Sequence, residues 1–145
     1  MDYNHIRILQ VRLQLIENYL HDMISKLEHN TNNSSFILYS FKNDIDYERK
    51  TKVLSILNFM LYEINQMKDK FALQQEERSF VRSIIGDLNE IWTTLEDTRP
   101  EKFSKGYGNI SKVDQELLGP YILKLLYMVD DIYIELGYTG KPSHH

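Results

Sequence analysis

Acidic side chains in the second half of the chain are the first candidates for chemistry. Asp87 and Glu90 lie three residues apart, and Asp131 and Glu135 lie four apart, so each pair shares one face of a predicted helix. Carboxylates that meet between antiparallel helices can hold Mg²⁺, which prefers oxygen ligands. A metal-dependent all-α hydrolase is therefore one alternative. A solvated acidic face explains the same residues, and we favour that interpretation.

Glu17 and His21 also share a helix face, because they lie four residues apart. With ligands from other helices they could bind zinc, but di-iron bundles use Glu-x-x-His, which is absent here. We expect an exposed pair. The chain has no cysteine, no nucleophile motif and no glycine-rich phosphate loop. We therefore predict no catalytic residue, metal site or cofactor, and favour a protein that is not an enzyme.

The stretch 99–108 is the best candidate for recognition, and the sequence predicts a loop there. It places three cations and two aromatic rings together in an acidic chain. An arginine can grip a carboxylate or phosphate with two hydrogen bonds, so a small anion is a possible ligand. The competing interpretation is that the rings pin a connection while the cations stay in water. The candidate residues are Arg99, Lys102, Phe103, Lys105 and Tyr107.

Apolar residues recur at spacings of three and four along four stretches of the chain. A helix carries such positions on one stripe, and a mean spacing of about 3.5 is typical of helices packed about 20° apart. Four stripes in one short chain predict an all-α antiparallel four-helix bundle. The stripes are Ile6, Leu9, Leu13, Ile16, Leu20, Met23 and Leu27; Val53, Leu57, Met60, Ile64, Met67 and Phe71; Val81, Ile84, Leu88, Ile91 and Leu95; and Leu118, Ile122, Leu125, Val129, Ile132 and Leu136.

Capping and breaking residues set the expected helix ends. The first helix should begin near Asp2 or Asn4 and end near residue 29, and the second should cover about 46–71. Asn43 or Asp44 should cap the second helix. Either a tight turn near 73–75 separates it from a third helix that reaches about residue 97, or one long helix continues through. We favour the turn, because a helix of about 50 residues could bury its stripe only against a partner chain.

Ser111 should cap the last helix, and Pro120 should kink it or divide it, because proline removes a backbone donor and clashes with the preceding turn. We expect one domain over 1–138. Residues 139–145 should form a flexible tail, whose final histidines a purification tag could also leave. The conformation of 30–45 is not predictable, although the apolar run 36–41 should pack against the bundle.

Aromatic residues supply the candidate interface. Tyrosine suits surfaces that are buried yet polar at the tip, and it is enriched where proteins meet. Ile8, Val11 and Leu15 also lie off the first stripe, so that helix needs more than one neighbour. We predict a small interaction or regulatory protein that forms a homodimer or binds a protein partner. The candidate interface residues are Phe36, Tyr39, Phe41, Tyr121, Tyr127 and Tyr133.

Composition narrows the class of partner. The chain has 145 residues and a net charge of −4, which argues against broad nucleic-acid binding. No apolar run approaches the roughly 18 residues of a membrane span, and the N-terminus does not resemble a signal peptide. We therefore expect a cytoplasmic protein without a membrane partner.

Overall fold

The computed structural model describes residues 1–29 and 36–138, and every regular element in these ranges is a helix. The prediction of an all-α protein is confirmed, whereas the bundle arrangement itself stays a prediction. The five helices are α1 (Tyr3–Glu28), α2 (Tyr47–Lys70), α3 (Phe80–Asp97), α4 (Pro100–Tyr107) and α5 (Lys112–Glu135).

Side-chain caps explain where four of the helices begin. Asp2 accepts a hydrogen bond from the backbone N–H of His5, as predicted for α1. Ser79 caps α3 in the same way, and Ser111 caps α5. For α2 the predicted cap was wrong, because Asp46 rather than Asn43 or Asp44 fills this role. The helix therefore begins at the acid that immediately precedes it.

A turn ends α2 and separates it from α3, as the sequence predicts. Ala72 adopts a left-handed conformation with φ 54°, and the backbone N–H of Leu73 donates to the carbonyl of Lys68 at 2.8 Å. The side chain of Leu73 is buried. Gln10 of α1 donates from Nε2 to the carbonyl oxygen of Gln74 at 2.8 Å, which fastens the turn to α1.

The stretch predicted as a loop over 99–108 is largely helical, so that part of the prediction was wrong. Pro100 ends α3, but it also occupies the first turn of α4, where its missing N–H costs nothing. Glu101 and Lys105 then lie at the ends that the helix dipole favours. Gly108, with φ 100°, allows the chain to leave the helix.

Pro120 does not divide the last helix. α5 continues through it as one helix, so the alternative of two consecutive helices was wrong, and the kink stays a prediction. Gly119 helps to accommodate the proline, because a residue without Cβ avoids the clash that disfavours helical geometry before proline. A Cβ on Gly119 would lie 3.7 Å from Cγ of Pro100, so α4 and α5 approach closely here.

The chain divides into two compact units, Met1–Gln75 and Glu76–His145. In the first unit, α1 packs against α2. In the second, α3 packs against α5, and the short α4 contacts both. The expectation of a single domain over 1–138 stays a prediction, and the predicted tail 139–145 lies outside the described residues.

Each unit has its own core. In the first, Leu20 and Ile24 of α1 pack around Leu57 of α2. In the second, the core holds two residues from each of the two long helices, and partly buried neighbours surround both cores. The second core consists of Ile85, Leu88, Val129 and Tyr133, with Ile84, Trp92, Leu95, Leu136 and Tyr138 around it.

Each predicted apolar stripe is split between a buried seam and a less covered row. Leu13, Leu20, Leu57, Leu88, Ile122 and Val129 are buried. Eight stripe residues remain 39–48% exposed: Val81, which lies in line with Leu88, and seven others that we call the second rows. Leu125, predicted as core, belongs to a second row, and Leu126 is buried in its place. The second rows are Ile16, Met23, Val53 and Met60 in the first unit, and Ile91, Leu125 and Ile132 in the second.

The second rows have one position in common. Each of their residues lies three positions after or four before a buried seam residue, so each is rotated in the same direction from the seam. Gln10 near the start of α1 contacts Gln74 after the end of α2, so these two helices run antiparallel. Tyr133 contacts Asn89 and Gly119 lies near Pro100, so α3 and α5 do the same. Equal rotations on antiparallel helices point to one side of the pair. Each unit therefore presents one face whose apolar side chains its own helices leave partly exposed.

Candidate interaction surfaces

Three aromatic rings between α1 and α2 form a compact cluster. Phe36 stacks on Tyr39 with ring centroids 4.3 Å apart, and Phe41 meets both rings edge-on, at 6.0 and 5.7 Å. Edge-on and offset arrangements are favourable because the positive ring edge meets the negative face. We call Phe36, Tyr39 and Phe41 the aromatic cluster. Its residues are spaced by three and two in an irregular segment. Neither a helical nor a strand periodicity therefore predicts this cluster from the sequence.

The aromatic cluster is attached to the end of α1 through one lysine. Lys26 Nζ lies 5.7 Å from the centroid of the Phe41 ring, a cation–π contact, and 2.9 Å from Oδ2 of Asp22. The hydrogen bond and the charge of Asp22 raise the pKa of the Lys26 amine, and the phenol of Tyr39 contributes in the same direction. Lys26 therefore stays charged while it contacts the ring.

The tip of this segment is the most exposed apolar site in the described ranges. Ile37 is 97% exposed and Leu38 is 93% exposed, while the rings beside them are about half covered by one another. The expectation that 36–41 packs onto the helices therefore holds for Phe41 beside Lys26, but it was wrong for these two aliphatic side chains. Exposed aliphatic side chains next to an aromatic cluster form an apolar patch of the kind that is typical of contact surfaces.

A further apolar row lies on the far side of α1 from α2. We call Ile8, Val11, Leu15 and Tyr19 the outer stripe, and each of these side chains is 43–62% exposed. At about 100° per residue, the stripe points roughly 150° away from the seam of Leu13, Leu20 and Ile24. The outer stripe therefore faces neither α2 nor the side of the α1–α2 pair on which the second row lies.

The tyrosines predicted as interface residues fall into two groups. Tyr121 and Tyr127 are exposed on α5, so they are available for contact. Tyr133 is fully buried, and its hydroxyl donates to Oδ1 of Asn89 at 2.5 Å. Burial raises the pKa of its phenol, and the nearby Tyr138 and Asp130 add to the shift. The prediction that Tyr133 lies at an interface was wrong, because it links α3 to α5 inside their core.

The residues predicted to bind an anion lie along the short helix α4 and at the residue before it. Arg99 Nη2 donates to Oε1 of Glu96 at 3.0 Å, and its Nε lies 2.9 Å from Oε2, so a carboxylate of this chain already occupies the guanidinium. Lys102 and Lys105 are exposed on α4. Phe103 meets Tyr107 edge-on at 5.7 Å on the same short helix. Anion binding by these residues stays a prediction.

The acidic candidates remain separate surface groups. Within residues 1–29 and 36–138, no three histidine or acidic side chains come close enough to share a metal ion. The convergence that a carboxylate hydrolase would require of Asp87, Glu90, Asp131 and Glu135 is therefore not observed. Glu17 and His21 form an exposed pair at 3.4 Å. None of the helices described is long and apolar enough to cross a membrane.

No protein-family model, curated protein or solved structure matches this chain.

Proposed function

We propose that this chain is a small non-catalytic interaction protein that acts through helical surfaces and associates with a second copy of itself. The observation that carries the proposal is the amount of apolar surface that each unit leaves uncovered. Monomeric proteins rarely expose contiguous apolar patches larger than a few hundred Å². Here the second rows, the outer stripe and the aromatic cluster all remain substantially exposed.

The second rows support an antiparallel four-helix bundle. In a bundle with a seven-residue repeat, alternate stripe residues face the neighbouring helix and the opposite pair of helices. The seam residues take the first role, and the second rows are placed for the second role. We therefore propose that the apolar face of one helix pair closes on the apolar face of the other.

The outer stripe supports self-association beyond the bundle. Closure of the second rows would not account for Val11 and Leu15, which lie on the side of α1 away from α2. A regulatory role and a cytoplasmic location belong to the same proposal and follow from the sequence-based expectations. Fluorescence microscopy of the tagged protein in its source cells would test the cytoplasmic location.

Sedimentation velocity on the untagged chain, from roughly 1 to 100 µM, tests self-association over the range of ordinary protein affinities. We expect the mass to rise with concentration from 17.3 kDa towards twice that value. A mass of 17.3 kDa at every concentration would refute the proposal.

A further inference from the structure

The outer stripe and the aromatic cluster are parts of one surface. Lys26 lies seven residues after Tyr19, so it continues the line of the outer stripe by two helical turns. Asp22 lies between them and pairs with Lys26, and Lys26 in turn contacts the ring of Phe41. An apolar path therefore runs from Ile8 along α1, past one ion pair, to the aromatic cluster.

We propose that this surface is a self-complementary seam on which α1 of a second copy docks in antiparallel orientation. The inference rests on the proposed self-association and adds its location, direction and register. In the register that covers the stripe most fully, Ile8 lies opposite the partner's Tyr19, and Val11 lies opposite the partner's Leu15. Both contacts occur twice, because a two-fold interface repeats each contact.

The charges of α1 favour the antiparallel direction. Arg7 and Arg12 lie in its first half, and neither forms an ion pair among the described residues. In its second half Asp22 lies beside the outer stripe and pairs with Lys26, whereas Glu17 and Glu28 lie on the side of α1 that faces α2. A parallel pair would bring like charges together, whereas an antiparallel pair places Arg7 near the partner's Asp22. Antiparallel helix dipoles also attract, which adds to this preference.

The area agrees with a stable homodimer. Eight large side chains on the surface are between 43% and 97% exposed. At roughly 100 Å² each, they offer about 800 Å² per copy, which is one partner's share of a standard interface. The outer stripe alone would supply about half of this. The eight are Ile8, Val11, Leu15, Tyr19, Phe36, Ile37, Leu38 and Tyr39.

The antiparallel register also uses the exposed tip of the aromatic cluster. Residue 26 then lies opposite the partner's Met1, just before the partner's α1 begins at residue 3, so the cluster attached to Lys26 reaches that end of the helix. Met1 is 70% exposed there. Ile37 and Leu38 of each copy would therefore cover the beginning of the other copy's helix, one at each end of the seam.

A charge introduced into the proposed α1–α1 interface tests the location of that interface. Leu15→Arg introduces two buried cations per dimer, so we expect the dissociation constant measured by sedimentation to weaken by on the order of 100-fold or more. Phe59→Arg is the matched control. Phe59 is 61% exposed on α2 of the same unit, but it lies outside the proposed contact between the two copies of α1. We expect this control to dimerise like the wild type, and circular dichroism should show both variants folded.

Single cysteines test the direction, because the chain has none of its own. In the proposed register, the two copies of Ile8→Cys lie about 16 Å apart along the axis, beyond disulfide reach. Mixing Ile8→Cys with Tyr19→Cys should give a disulfide-linked heterodimer. Cross-linking of Ile8→Cys to itself would instead indicate a parallel pair and would overturn the proposal.

The outcomes separate this seam from self-association in general. A wild-type monomer at all concentrations would remove both proposals. A dimer that Leu15→Arg leaves intact would overturn the seam alone. If Leu15→Arg lowered the unfolding temperature of a chain whose mass did not change, the outer stripe would be covered within one chain, and the seam would again be refuted.

Discussion

Leu125 and Leu126 are adjacent in α5, but Leu126 is buried in the core whereas Leu125 is half exposed. Leu126 is 2% exposed, in the core between α5 and the rest of its unit. Leu125 is 46% exposed in the second row. Replacing each by alanine compares a side chain whose burial is established with one that becomes buried only if the bundle closes.

The magnitudes differ enough to be measured. Leu126→Ala should lower the free energy of unfolding by about 2–5 kcal/mol, since it removes buried methyl groups and leaves a cavity. Full burial of a leucine is worth about 1.5–3 kcal/mol, and Leu125 is already half covered. An open second row therefore predicts a cost of about 1 kcal/mol for Leu125→Ala. A closed bundle predicts at least about 2 kcal/mol, because the cavity term is added.

Urea denaturation followed by circular dichroism measures both costs, with the slope of the transition checked in each variant. A closed bundle should also unfold in one transition, whereas two independent units could give two. A cost of about 1 kcal/mol or less for Leu125→Ala would refute closure of the second rows, because that is the cost expected of an open row. A similarly small cost for Leu126→Ala would refute the assignment of the core itself.

Three further substitutions test particular contacts by the same denaturation assay. Tyr133→Phe removes the hydrogen bond to Asn89 and should cost about 1 kcal/mol. Because burial raises the pKa of Tyr133, the stabilising contribution of the neutral phenol is complete below pH 10.0 and is lost as pH rises further. The fall in wild-type stability above that pH should therefore be smaller in Tyr133→Phe; an equal fall would contradict the assignment. Gly86→Ala should add about 0.5–1 kcal/mol, because no atom lies within 4 Å of the new Cβ and alanine favours the helix; a loss would contradict this. Arg99→Ala should cost about 2 kcal/mol, because the carboxylate of Glu96, only 12% exposed, loses its cation. A smaller cost in a Glu96→Gln background would support this cause, and an equal cost would refute it.

The helices could be predicted because their ends carry local chemical signals. Asp2 and Ser111 accept the backbone hydrogen bonds expected of caps, and the turn after α2 lies where the apolar pattern pauses. Asp46 was assigned to the helix rather than to its cap, since several neighbouring polar residues can serve equally well. Such choices depend on φ and ψ angles that the residue types do not determine.

The short helix α4 was missed because Pro100 has two roles. Proline ends a helix that precedes it and also suits the first turn of a helix that follows it. The predicted loop took only the first role into account. Glu101 and Lys105, placed at opposite ends of an eight-residue segment that Gly108 closes, were the available signals for the second role.

The division of each stripe into seam and second row could not be read from periodicity. Spacings of three and four mark both rows, because both belong to one broad apolar band on the helix. Which row is buried first depends on the rotation of the facing helix, and that is a tertiary property. Ile122 and Leu125 therefore look equivalent in the sequence, although only Ile122 is buried in its unit.

The candidate interface shows the same limit. Its aromatic residues were identified by type, which suits both a core and a surface, and Tyr133 proved to belong to the core. The association of Phe41 with Lys26 has no regular sequence spacing, because it depends on how the chain returns to α1. Contacts of this kind become predictable only when the fold brings distant segments together.

The chemistry of the apolar surfaces indicates different roles for them. The second rows contain only aliphatic residues and methionine, which pack well in a dry interior. The proposed seam instead combines aliphatic residues with Tyr19, Tyr39 and the Asp22–Lys26 pair, a mixture of apolar and polar groups that is typical of interfaces between proteins. A bundle core must stay buried, whereas a homodimer seam must tolerate dissociation. This difference in polarity is the physical reason for assigning closure of the bundle to the second rows and self-association to α1.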